Sequence, residues 1–182
     1  MQPKRAFDMI AGSALLLLLA APLLVIAAAV AETSRGPVLV PRERAGLGGR
    51  PFPILSFRTD RGTRLGRALH RHFLDHLPQL VNVVRGEMSL VGPRPMPPSG
   101  PAPAPGADRA RASVRPGVTG LWQVGGRSGL PWEERGVLDL HYVDEHWIGM
   151  DLAVLARTLP AAVRGRPPSR RPAARWRRAG EG

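Results

Sequence analysis

Residues 74–95 read LDHLPQLVNVVRGEMSLVGPRP. Asp75 can cap the free amides of a helix, and Pro78 falls in its first turn, where a missing N–H costs little. Leu77, Leu80, Val81 and Val84 form one apolar stripe, and Arg85-Gly86 is a stop signal. The spacing predicts a helix from near Asp75 to Arg85. Upstream, a second helix is predicted from Thr63 to His70. Downstream, residues 95–107 (PMPPSGPAPAPGA) hold six prolines in thirteen positions. Such a segment is a loose or extended linker, not a helix or core strand.

Order returns at residues 114–117, followed by the Trp122 segment and a helical stretch over residues 131–145. Residues 147–163 are apolar and amphipathic, with Asp151 and Arg157 their only charges. They suit a core or a bilayer interface with Trp147 at headgroup depth. Nearer the N-terminus, residues 38–40 and 53–57 flank the turn-rich run AGLGG at 45–49 and read as a short hairpin. No Lys-Ser/Thr follows those glycines, so they are turn residues rather than a phosphate loop.

Residues 9–31, MIAGSALLLLLAAPLLVIAAAVA, carry no charge over 23 positions. At helical rise this is about 34 Å, enough to cross a hydrocarbon core of about 30 Å. Three readings stand: a signal peptide ending at Ala29-Val30-Ala31, a single span, or a helix broken near Pro22 that enters and leaves by one face. Lys4 and Arg5 precede the segment and Arg35, Arg42, Arg44 and Arg50 follow it. A span would place one of these cationic flanks on the disfavoured side.

The 182 residues hold 26 Lys plus Arg against 14 Asp plus Glu, a net charge of +12. No cysteine is present, which excludes disulfides, thiolate nucleophiles and thiolate metal sites. Between Arg35 and Arg71 the net charge is +7, and over the last twenty residues +6. The first run suits a solvated face, or a surface for anionic headgroups and a phosphorylated substrate, and the last an arm attracted to anionic lipid. Nucleic acid is not expected as a partner, because few aromatics accompany the arginines.

The densest group of chemically capable side chains is residues 70–76, HRHFLDH. His72 and His76, four apart, could share a helical face toward zinc, but Phe73 stands where a zincin has its Glu and no third ligand follows. Asp75 could instead be a nucleophile toward phosphorus, at a helix N-terminus that favours phosphate. An Asp in that position is also a common helix cap, and spacing alone leaves both roles open.

The 74–95 stretch closely resembles the signature of the bacterial sugar transferases, the monotopic phosphoglycosyl transferases. The resemblance extends to KRAFD at 4–8, GPV at 36–38, FRT at 57–59, RPGVTGLWQV at 115–124, Gly126-Arg127 and LDLHY at 138–142, and covers about residues 3–166. It implies an α/β (α+β), small, helix-rich, membrane-associated catalytic domain with interfacial amphipathic helices. Residues 1–34 would form a proline-broken re-entrant membrane helix with a basic flank. Residues 35–166 would form the domain on the cytoplasmic face of the bacterial inner membrane, with 95–107 a linker within it, and 167–182 a polybasic tail, without fixed structure, for anionic lipids.

The resemblance also implies a reaction. The sugar-1-phosphate of a UDP-sugar moves to polyprenyl (undecaprenyl) phosphate through a covalent aspartyl-phosphosugar, releasing UMP and starting an exopolysaccharide or other glycoconjugate. An Asp-Glu dyad with Mg2+ does the chemistry, and a second copy or a glycosyltransferase is a natural partner. By position, Asp75 is nucleophile and metal ligand, and Arg94, between Pro93 and Pro95, holds the donor. Arg58, Arg127 and Gln123 are further substrate-binding candidates. The dyad's Glu is replaced by His76, and imidazole is a poor ligand for a hard cation. An alternative is therefore a catalytically impaired relative that binds polyprenyl phosphate or a partner protein at the membrane.

Overall fold

The break in the N-terminal apolar segment falls at Leu19 rather than at Pro22. In the computed structural model, which describes residues 3–60, 62–98, 107–124 and 132–165, helices α1 (Pro3–Leu18) and α2 (Ala20–Thr33) meet at 60°. Pro22 cannot donate to the carbonyl of Leu18, and its ring would collide there, so the helix stops one turn upstream. The proline then occupies the first turn of α2, where no intrahelical donor is needed. Among the described residues no single helix is long and apolar enough to cross a membrane, whereas the bent pair meets that length and composition together.

The start of α1 is tied to the rest of the chain by its charged residues. Arg5 donates to the carbonyls of Val83 and Val84 at 2.8 and 3.1 Å. Lys4 pairs with buried Asp151 and donates to the Val91 carbonyl. Asp8, 2% exposed, accepts from Ser89 Oγ at 2.8 Å and from the Leu90 amide at 3.0 Å. Gly12 lets the helix lie against Val83, whose Cγ1 would stand 3.0 Å from an added Cβ.

A hairpin follows, β1 (Leu39–Ala45) with β2 (Pro51–Phe57), antiparallel and longer than residues 38–40 and 53–57 alone predicted. Its tip is a 3₁₀ turn, Leu47–Gly49, with Gly48 and Gly49 at positive φ. Helix α3 (Arg64–Arg71) starts where Thr63 Oγ1 accepts from the Gly66 amide at 3.0 Å. Helix α4 (Gln79–Arg85) ends at Gly86 in the left-handed conformation. It therefore begins four residues later than predicted, with Asp75 in a separate 3₁₀ turn, Leu74–His76.

Strand β3 (Ser89–Val91) pairs in parallel with β4 (Gly117–Thr119), Ser89 opposite Gly117 and Val91 opposite Thr119. The backbones come so close beyond this pair that a Cβ on Gly117 would meet the Gly92 nitrogen at 2.1 Å. Among the described residues four helices follow: α5 (Ala107–Arg111), α6 (Leu121–Val124), α7 (Trp132–Glu145) and α8 (Ile148–Arg164). Of the 95–107 linker, Met96 forms an extended bridge to Ala45, and residues 99–106 lie outside the described residues, as does the tail from residue 166.

Phe52, Ile54, Leu80, Val83, Met88, Leu90, Val91, Tyr142 and Val154 make the core, with Phe7, Leu15 and Leu16 of α1 packed on it. Asn82 is fully buried in this core. It accepts from the Leu55 amide at 3.0 Å and donates to the Pro53 carbonyl at 2.9 Å and to Glu87 at 2.7 Å, fastening β2 to α4. The predicted α/β composition is thus present as mixed helices and two small sheets.

Candidate active site

Phe73 has φ 61°, a left-handed conformation uncommon for an aromatic residue. It turns the chain out of α3 and into the 3₁₀ turn that presents Asp75. Asp75 is therefore no helix cap. Its side chain faces a cleft of about 510 Å³ formed by the hairpin, α3, the 3₁₀ turn, residues 94–97 and the β4–α6 segment.

Asp75 is buried between two imidazoles. His70 Nδ1–H donates to Oδ2 at 3.3 Å. Oδ1 is buried without a hydrogen-bond partner, and His76 Nε2 stands 3.6 Å from it. Gln79 Nε2 donates to His76 Nδ1 at 2.7 Å, so the neutral ring carries its proton on Nε2, toward the carboxylate. His72 turns the other way and donates to the Ala162 carbonyl of α8 at 2.8 Å. The shared His72–His76 face, which the sequence already argued against, does not form. Among the described residues no group of three His, Asp or Glu could hold a metal ion.

Arg94 lines the cleft with its guanidinium carbon 5.5 Å from the centroid of the Trp122 ring. Its amide donates to Asp139 Oδ1 at 3.4 Å. Asp139 is itself buried and ion-paired with Arg111 of α5. Burial pushes the Asp139 carboxyl above the usual range, against the opposing pull of Arg111. Pro95 lines the cleft, and the Pro93 carbonyl accepts from the Gly117 amide at 2.9 Å.

Two of the sequence candidates point elsewhere. Arg58 donates to the Arg35 carbonyl at 2.9 Å, and its neighbour Thr59 lines the cleft instead. Gln123 is not among the lining residues, whereas Trp122 is. Arg127 lies outside the described residues. The sequence reading missed Arg42, Arg44, Gln79 and Trp122, all of which line the cleft. Arg42 and Arg44 were legible in principle, since alternation along β1 puts them on one face with Val40.

The donor set decides whether magnesium fits. Mg2+ takes oxygen ligands in a near-octahedral shell. Among the described residues the cleft offers one carboxylate, two imidazole N–H groups directed at it, and the cations Arg42, Arg44 and Arg94. A divalent ion at Oδ1 would meet the N–H of His76. These residues do not fit the ion that the resemblance implies.

A family model described as bacterial sugar transferase matches residues 1–165. The UDP-glucose:undecaprenyl-phosphate glucose-1-phosphate transferase of Caulobacter vibrioides is 42% identical, over 88% of this chain and 69% of that protein. The undecaprenyl-phosphate glucose phosphotransferase of Komagataeibacter xylinus is 40% identical, over 90% of this chain but only 36% of its own length. Exopolysaccharide production protein ExoY of Rhizobium meliloti is 33% identical, over 90% and 86% respectively.

Proposed function

Because this chain belongs to the bacterial sugar transferase family, we propose that it moves the sugar-1-phosphate of a UDP-sugar onto polyprenyl phosphate and releases UMP. The observation that carries this reading is the state of Asp75: one oxygen anchored by His70, the other buried and free of hydrogen bonds. A carboxylate oxygen that accepts no hydrogen bond, with the nearest donor, His76 Nε2, 3.6 Å away, keeps its lone pairs for attack. Oδ1 bonds to the sugar-bearing phosphorus as the bond from phosphorus to the UMP oxygen breaks, and UMP leaves with that electron pair. A polyprenyl phosphate oxygen then attacks the same phosphorus, and the carboxylate departs unchanged. His76 Nε2–H donates to a non-bridging oxygen of the transferred group, and Arg94 and the Trp122 ring hold the nucleotide half.

The N-terminal pair supports a monotopic, re-entrant placement in the cytoplasmic membrane. The start of α1 is fastened at Lys4, Arg5 and Asp8, and near the end of α2 Val30 is 1% exposed. Leu17, Leu18, Leu24 and Val25, around the bend, are each about 70% exposed or more. Both ends thus sit on the domain while the apolar bend projects. On α8, Ile148, Leu152, Leu159 and Val163 are exposed opposite buried Asp151 and Val154, as an interfacial helix requires.

Release of UMP tests the reaction: full-length protein in detergent is offered UDP-sugars and undecaprenyl phosphate. Asp75→Asn is expected to lower turnover by about 10³-fold or more, and mass spectrometry of the wild type to find a phosphosugar on Asp75. A second reading, an impaired relative that only binds polyprenyl phosphate, is favoured by His76 at the dyad position. Wild-type protein that binds the lipid phosphate but yields neither UMP nor adduct would establish it.

A further inference from the structure

Arg42 and Arg44 project from one face of β1, beside the cross-strand residues Ile54 and Ser56 that also line the cleft. Neither arginine has an ion-pair partner among the described residues. With Arg94 they set, among the described residues, three guanidiniums around a single carboxylate. A carboxylate approaching a diphosphate meets like charge, which a cation must neutralise. The position a divalent ion would take at Asp75 Oδ1 faces His76 Nε2–H, fixed in that tautomer by Gln79. Guanidinium meets phosphate oxygens through paired N–H donors and carries its charge at every working pH.

Resting on the transferase reading, we infer that Arg42 and Arg44 clamp the diphosphate of the nucleotide donor in place of a divalent cation, with His76 standing where the cation would be. The clamp comes from the hairpin and the nucleophile from the turn after α3, so donor binding draws these two elements together across the cleft.

The probe is UDP, titrated calorimetrically into full-length protein in detergent, once with EDTA and once with Mg2+. The expected dissociation constants agree within about twofold, and the Arg42→Ala, Arg44→Ala double variant binds UDP about tenfold or more weakly. His76→Glu, which restores a second carboxylate, is expected to gain about tenfold in UDP affinity when Mg2+ is added. Wild-type affinity that falls tenfold in EDTA overturns the clamp, as does a folded double variant with unchanged affinity. The EDTA comparison uses wild type alone and so stands whether or not the variants fold. UMP release is followed in parallel with Mg2+ present. Turnover together with metal-requiring UDP binding rejects the clamp and keeps the transferase reading, whereas absence of both UDP binding and UMP release rejects the two together.

Discussion

Asn82 shapes the cleft without lining it, because its amide fastens the hairpin that carries Arg42 and Arg44 to α4. Truncation in Asn82→Ala leaves the Leu55 amide and the Pro53 carbonyl without their side-chain partner. The expected cost is about 2–3 kcal/mol, read as a shift in the denaturation midpoint; a loss below about 0.5 kcal/mol would mean that water replaces the amide. At this scale the sequence was readable in parts. Asn82 stood inside an apolar stripe with nothing to mark its role. Asp75 was visible as a chemical group, but spacing left cap and nucleophile both open, because the left-handed φ of Phe73 that removes it from the helix has no signature in a bulky aromatic. His76 stood out only against the family pattern, and its orientation depends on Gln79 three residues on.

Among the elements, most helices and the β1–β2 hairpin announced themselves, and the β3–β4 pair did not. Thr63 and Gly86 are cap and stop in the structure as in the sequence, and α7 and α8 fall where their apolar spacing put them. The β3–β4 pair is only three residues long on each side, too short for alternation to register, and its partners lie far apart in the chain. Across these elements the Arg111–Asp139 pair joins α5 to α7 and carries the Arg94 amide. Arg111→Ala leaves that carboxylate buried without its ion-pair partner, with only the charge and amide of Arg94 still acting on it, at an expected cost of about 3 kcal/mol. Burial already raises the Asp139 carboxyl, and removing Arg111 raises it further. The folded state then holds a proton that the unfolded chain releases at lower pH. The deficit of the variant relative to wild type is therefore expected to shrink as pH falls from neutrality toward the ordinary carboxylate range. Paired thermal melts at pH 7 and pH 5 check the sign, and a deficit that is equal or larger at pH 5 would contradict it.

For the whole molecule the proposed monotopic placement raises the question of which side of the membrane each end of the bent pair would occupy. Lys4 and Arg5 read from sequence as topological charges, yet in the structure they are packing residues, spent on the carbonyls of α4 and on Asp151. That use constrains topology more tightly than a charge count. The start of α1 must lie with the domain, and Val30 draws the end of α2 to it as well. The chain has no cysteine, so each introduced thiol reports alone. Pro3→Cys and Thr33→Cys, at exposed positions on either side of the apolar segment, are both expected to react with an impermeant maleimide in inverted inner-membrane vesicles and to resist it in intact spheroplasts. Leu18→Cys, at the exposed bend, is expected to stay unlabelled in both until detergent is added. Labelling of Pro3→Cys and Thr33→Cys from opposite sides would require the bend to open and one tether to break. The same experiment on Asp8→Ala, which strips the Ser89 and Leu90 contacts, would then show whether the docked end of α1 holds the pair in its bent form.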